Sequence, residues 1–177
     1  MSLDEIYKNK VAACLRALYA ARYAREDSIP CQIEEGLFLG SVGVVNDKDA
    51  LKNLNVTHIL IVAKSLDPQY PNDFIYKKIE VLDSPDVNLE QHFDECIEFI
   101  DEAKRMGGGV LVHCFAGRSR SVTVVVAYLM KKHHMSLSEA LALVKSKRPN
   151  IAPNYGFLKQ LENFEKSLQV NQDVRAH

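Results

Sequence analysis

The chain has 177 residues, 47% of them hydrophobic, and a formal net charge of −1. That is enough apolar mass for one domain with its own core, and the near-neutral balance excludes the global positive field that gathers nucleic acid or membrane. Residues 1–27 mix acids and bases, with neither a signal-peptide core nor an apolar span of about 20 residues, so the expected chain is soluble and cytoplasmic or nuclear.

Along residues 4–26, Tyr7, Val11, Cys14, Leu18 and Ala21 recur at spacings of four and three, the period of one helical face. Lys8, Lys10, Arg16, Arg22 and Arg25 decorate this helix, and Ser28-Ile29-Pro30 breaks it. Residues 1–29 thus form an N-terminal extension, residues 30–170 the domain proper and residues 171–177 a flexible tail. The basic amphipathic helix has two uses: packing on its own domain, or offering Leu15, Leu18, Tyr19 and Tyr23 to a partner such as calmodulin.

Short apolar runs follow at 37–40, 58–63, 74–81 and 110–113, interleaved with helical patterns. That alternation predicts a single α/β domain, with a largely parallel central sheet flanked by helices. Leu89, Phe93, Cys96, Ile97 and Ile100 share a helical face that ends near Gly107. Ser136 and Glu139 spell a capping box, and Phe157, Leu158, Leu161, Phe164 and Leu168 mark a last helix, which fades near Gln169. SVTVVVAYLM, residues 121–130, reads as strand on propensity alone. Its position after a strand and a polar loop argues for a helix whose free N–H groups face that loop, because burial outweighs valine's small helix penalty.

Cys14, Cys31, Cys96 and Cys114 are far apart with no C-x-x-C pair. Neither a zinc knuckle nor a redox motif is spelled, and Cys14, Cys31 and Cys96 read as small buried apolar residues. Six histidines are scattered, so no metal ligand set stands out. There is no GxxxxGK[ST] for a nucleotide, and no cofactor is expected.

The stretch VLVHCFAGRSRS, residues 110–121, is different. A strand ends at Cys114, and small residues at Ala116, Gly117 and Ser119 let the backbone curl until successive N–H groups converge on one anion. Arg120 closes the ring and can grip two oxygens through its planar fork. The same dipoles and guanidinium charge favour a thiolate at Cys114, which is the form that attacks phosphorus.

His113-Cys114, five residues, Arg120 and Ser121 resemble the signature of the cysteine-based protein phosphatases, and AGRSRS followed by AYLM resembles the dual-specificity branch. The similarity runs from GLFLGS at 36–41 to RPNIAPNYGFLKQL at 148–161 and extends to compact plant members directed at MAP kinases. It implies hydrolysis of phosphotyrosine and phosphoserine or phosphothreonine through a phosphocysteine, with a phosphorylated protein, such as a MAP kinase, as substrate. It also implies an aspartate upstream as proton donor, and VLDSPDVNL offers Asp83 and Asp86. Asp83 follows the predicted strand and precedes Cys114 by 31 residues, whereas Asp86 suits a helix cap.

By the same resemblance Phe115 through Arg120 bind phosphate, His113 orients the loop and helps keep the sulfur ionised, Ser121 bonds the departing sulfur and Asn154 braces the loop. Arg118 is expected to face solvent and tune affinity. Relatives with this loop also take phosphoinositides or RNA 5'-phosphates, and a non-catalytic phosphate-binding module is a further alternative. The absence of lysine from FAGRS argues against lipid.

Overall fold

The computed structural model describes residues 1–177. Helix α1 (Leu3–Glu26) leads to strands β1 (Cys31–Glu34) and β2 (Leu37–Gly40), a 3-10 turn (Val42–Asn46) and helix α2 (Lys48–Asn53). Strands β3 (Val56–Val62) and β4 (Ile75–Ile79), helix α3 (Phe93–Arg105), strand β5 (Gly109–His113) and helices α4 (Arg120–His133), α5 (Leu137–Lys147) and α6 (Tyr155–Arg175) complete the chain.

The sheet order is β1-β2-β5-β3-β4. Only β1 runs antiparallel, and β2, β5, β3 and β4 are parallel. Period-two alternation sorts the side chains. Leu37, Leu39, Leu60, Val62, Val110 and Val112 face the larger core under α3 to α6, while Phe38, Ile59, Ile61 and Leu111 face a smaller one that includes Val44, Val45 and Leu51. With both faces covered, β5 is buried along its whole length and delivers its C-terminal end to a fixed point.

Helix α4 is the element whose local preference and final state differ. Residues Ser121 to Met130 are all buried. Each valine costs a helix at most about 0.7 kcal/mol, whereas burying its side chain contributes about 1.5 kcal/mol or more, so packing wins. The capping box at Ser136 and Glu139 forms as expected.

Four expectations change, the first being that Cys31, at the start of β1, is half-buried and not buried, since it sits on an edge strand with only Ile33 inside. Cys14 is exposed, not buried, because α1 buries no residue at all and meets the domain only toward its C-terminal end. There Gly43 comes so close that an added Cβ would lie 2.3 Å from the Tyr23 carbonyl oxygen. The helix expected to fade near Gln169 continues to Arg175, its backbone ladder intact although residues 169–177 are exposed. Asp86 caps no helix, since its carboxylate takes the Ser84 hydroxyl instead. The amides of Leu89 and Glu90 are held by Gln160 Oε1 at 2.8 and 2.9 Å.

Candidate active site

The segment from Cys114 to Ser119 joins the end of β5 to the start of α4, and its main-chain carbonyls are all engaged on the outside. His113 Nδ1 donates to the Cys114 oxygen at 3.1 Å and Val42 N–H to that of Phe115 at 2.9 Å. Arg148 donates to the oxygens of Ala116 and Gly117 at 3.1 and 2.7 Å. Ala152 N–H donates to that of Arg118 at 2.7 Å, and Thr123, through N–H and hydroxyl, to that of Ser119 at 2.9 and 2.7 Å. No peptide bond is cis. In a trans peptide the N–H points opposite its carbonyl, so anchoring six carbonyls outward turns the following amides inward.

The reacting-atom candidate lies where those amides point. Cys114 is 2% exposed, and its Sγ accepts the Gly117 N–H at 3.2 Å and meets Ser121 Oγ at 3.0 Å. Gly117 has φ of +66°, and a Cβ there would lie 2.6 Å from the Gly40 backbone, so only glycine fits the turn. Ser119 does not cap α4 with its side chain, because its Oγ accepts the Asn154 N–H at 3.0 Å. The N-terminus of α4 is therefore left open toward the loop, an anion site by geometry and dipole.

Arg120 is held across this opening. One of its Nη atoms donates to the Val81 oxygen at 3.1 Å, while Nε is buried without any partner. A buried guanidinium N–H with nothing to bind costs about 1–3 kcal/mol or more, so an acceptor supplied there would be stabilising. Arg118 is exposed, as expected, and its Nε donates to the Asn150 oxygen at 3.0 Å.

Asp83 and Asn154 come together. Asn154 Nδ2 donates to Asp83 Oδ1 at 2.9 Å, and Asn154 Oδ1 caps α6 by accepting the Phe157 N–H at 2.9 Å. Asn154 therefore braces the loop through its main chain and Asp83 through its side chain. The Asp86 carboxyl, exposed and bonded to Ser84, is held below its ordinary range by that hydroxyl. His113 is buried, and desolvation pushes it down to about 4. Its ring holds the Cys114 carbonyl as a neutral donor.

Arg148 and Asp27 escaped the sequence reading. Their link spans 121 positions, and no local period joins Arg148 in KSKRPN to the end of α1. The one available signal was an arginine placed among prolines and polar residues.

A parallel strand running into a cysteine loop and a helix N-terminus defines a phosphate-handling enzyme of the cysteine-dependent class. Residues 37–167 match the family model described as dual specificity phosphatase, catalytic domain. Dual specificity protein phosphatase 1 of Arabidopsis thaliana is 58% identical over 95% of this chain and 85% of its own length. Dual specificity protein phosphatase 1B of the same plant is 59% identical over 79% of this chain and 84% of its own. Among solved structures, a mouse putative dual specificity phosphatase complexed with zinc tungstate superposes with a TM-score of 0.79 at 31% identity, covering 82% and 91% of the two chains. The chain belongs to the dual specificity protein phosphatase family and is a protein phosphatase.

The buried neutral state of His113 has a pH signature. Its value is about 4 in the fold and about 6.5 in an unfolded chain, so between those limits the unfolded chain binds the extra proton and stability falls as pH falls. At pH 5 the loss is about 2 kcal/mol. His113→Asn, which keeps a donor for the Cys114 oxygen, should show a smaller drop in thermal midpoint from pH 7 to 5 than wild type. His58, also pushed down by burial, acts equally in both. Parallel curves would remove His113 as the cause.

Proposed function

We propose that the enzyme removes phosphate from phosphotyrosine and from phosphoserine or phosphothreonine, with a MAP kinase as substrate, in the cytoplasm or nucleus. Cys114 Sγ attacks phosphorus as the thiolate, and the bond from phosphorus to the side-chain oxygen breaks. Asp83 delivers its proton to the leaving oxygen. Water then attacks the phosphocysteine, Asp83 takes the proton back, and the sulfur leaves while accepting a hydrogen bond from Ser121. Arg120 and the inward amides carry the charge on the equatorial oxygens throughout.

The observation that supports this reading most directly is the buried, unpartnered Nε of Arg120 in the same loop as a buried cysteine. Asp83 is supported over Asp86 by its tether to Asn154, since Asp86 is occupied by Ser84. A protein substrate is supported by a cleft of about 540 Å³ beside the loop, where Tyr19, Tyr23, Arg118 and Lys147 stand with two ion pairs, Arg22–Glu26 and Arg148–Asp27. It offers positive charge and ring surface to an acidic phosphopeptide. The MAP kinase part draws on a relative's name. MAP kinase phosphatase with leucine-rich repeats protein 3 of Dictyostelium discoideum is 45% identical over 80% of this chain, and this chain spans only 16% of it.

Helix α1 is proposed as a calmodulin-binding element. Leu3, Tyr7, Leu15 and Leu18 are exposed on it among five basic residues, whereas Tyr23, offered with them by the sequence, is half-buried against Phe115.

In excess chelator the wild type should hydrolyse aryl phosphates, in chelator-free buffer vanadate should stop it, and Cys114→Ser should bind without turnover. Asp83→Asn should lower kcat about 100-fold with phenyl phosphate and less with p-nitrophenyl phosphate, whose leaving group needs no proton. If Asp86→Asn shows that pattern instead, the acid is Asp86. Matched peptides differing only in phosphotyrosine or phosphothreonine should both be turned over, and strict tyrosine preference would exclude dual specificity. Calcium-dependent retention on calmodulin, abolished by Leu18→Glu, would establish the α1 partner, and no retention of the wild type would refute it.

A further inference from the structure

Arg148 is the only charged residue that the fold buries, at 3% exposure. Every nitrogen of its guanidinium is used. Nε donates to the Gly117 oxygen at 2.7 Å, and Nη2 donates to the Ala116 oxygen at 3.1 Å and to Asp27 Oδ2 at 2.6 Å. Nη1 donates to Asp27 Oδ1 at 3.0 Å and lies 3.7 Å from Cys31 Sγ. Burial alone would raise the Asp27 carboxyl, but the Arg148 bonds and charge outweigh it and hold Asp27 below its ordinary range.

Burying an ion pair costs desolvation that the pair itself seldom recovers, so its placement calls for an explanation. One end grips two consecutive carbonyls of the phosphate loop, and the other is the residue that closes α1. A second contact runs beside it, since the Tyr23 ring meets Phe115 edge-on at 5.8 Å. Ser41 Oγ donates to the Asp27 oxygen at 3.1 Å and fixes the same turn. Tyr23 and Asp27 both lie ahead of the residues that match the family's catalytic domain.

We propose that Asp27 and Arg148 are a pair of positioning residues that hold the Ala116 and Gly117 carbonyls outward, and that the end of α1 thereby sets how well the loop binds and transfers phosphate. Neither side chain touches the sulfur or the phosphoryl group. Arg148 acts through the amides of Gly117 and Arg118, which turn away from phosphate when the carbonyls are released, and Asp27 acts by fixing the plane of the guanidinium. A lysine at 148 keeps the charge but cannot reach two carbonyls and two carboxylate oxygens at once.

The inference rests on Cys114 and its loop being the catalytic centre. The test uses the full chain, with orthovanadate as the probe of loop geometry and p-nitrophenyl phosphate for kcat and KM. Arg148→Lys should weaken vanadate inhibition at least about 10-fold and lower kcat about 10- to 100-fold, the scale of a displacement near 1 Å. Asp27→Asn should move both in the same direction by about threefold to tenfold. Ile97→Val, a core change in α3, should lower the thermal midpoint and leave both readouts at wild-type values.

A lowered midpoint with unchanged vanadate affinity and kcat in Arg148→Lys and Asp27→Asn would make the pair a brace and overturn the proposal. Should Arg148→Lys not fold, Asp27→Asn decides on the same readouts. Turnover by Cys114→Ser would instead sink the catalytic assignment, an outcome separable from the behaviour of the pair.

Discussion

Six carbonyls, from Cys114 to Ser119, are pulled outward by donors from five directions: His113, the 3-10 turn after β2, Arg148, the irregular segment at Ala152, and the first turn of α4. Everything chemical about the site depends on that constraint. A free loop of this length would satisfy its own amides or water, and an arriving anion would have to reorganise it. With the carbonyls committed elsewhere, the inward amides are left for the sulfur or an anion, so in the proposed reaction the field that would stabilise developing charge exists before substrate arrives.

The rest of the fold supplies those donors. The parallel sheet exists to place the end of β5 beside β2, whose last residue presses on Gly117 so closely that a side chain is excluded. The apolar run of α4 is locked between sheet and helices, which fixes an open helix N-terminus at the loop. The strand β1 adds little core of its own, with only Ile33 buried, but it carries the chain back from the end of α1. That return brings Asp27 within reach of Arg148, 121 residues later.

How much of this could be read from the residues depends on range. The loop chemistry was legible because nucleophile, small residues and arginine lie within eight positions, and their spacing alone fixes what a curled backbone can do. The parallel sheet was legible from apolar runs alternating with helical periods, and α4 from its neighbours even against its own propensity. Strand β1, with one buried side chain, had no period to detect. The exposed Cys14 sits on a face whose spacing is that of a packed helix, and pattern cannot tell a face that is covered from one that is not. The Asp27–Arg148 pair and the outward carbonyls come from tertiary proximity alone, and so does the link from Asn154 to Asp83.

Asn154 has a consequence for precision. One residue fixes the start of α6, holds Ser119 through its amide and holds the Asp83 carboxylate through its side chain. Phosphate cradle and carboxylate are thus gauged from one common datum, as two parts bolted to the same bracket. A displacement of the start of α6 would therefore act on both at once and not on one alone. In the proposed mechanism the proton returns to Asp83 along the path by which it left, and that needs the gap between cradle and carboxylate to be the same on both passages.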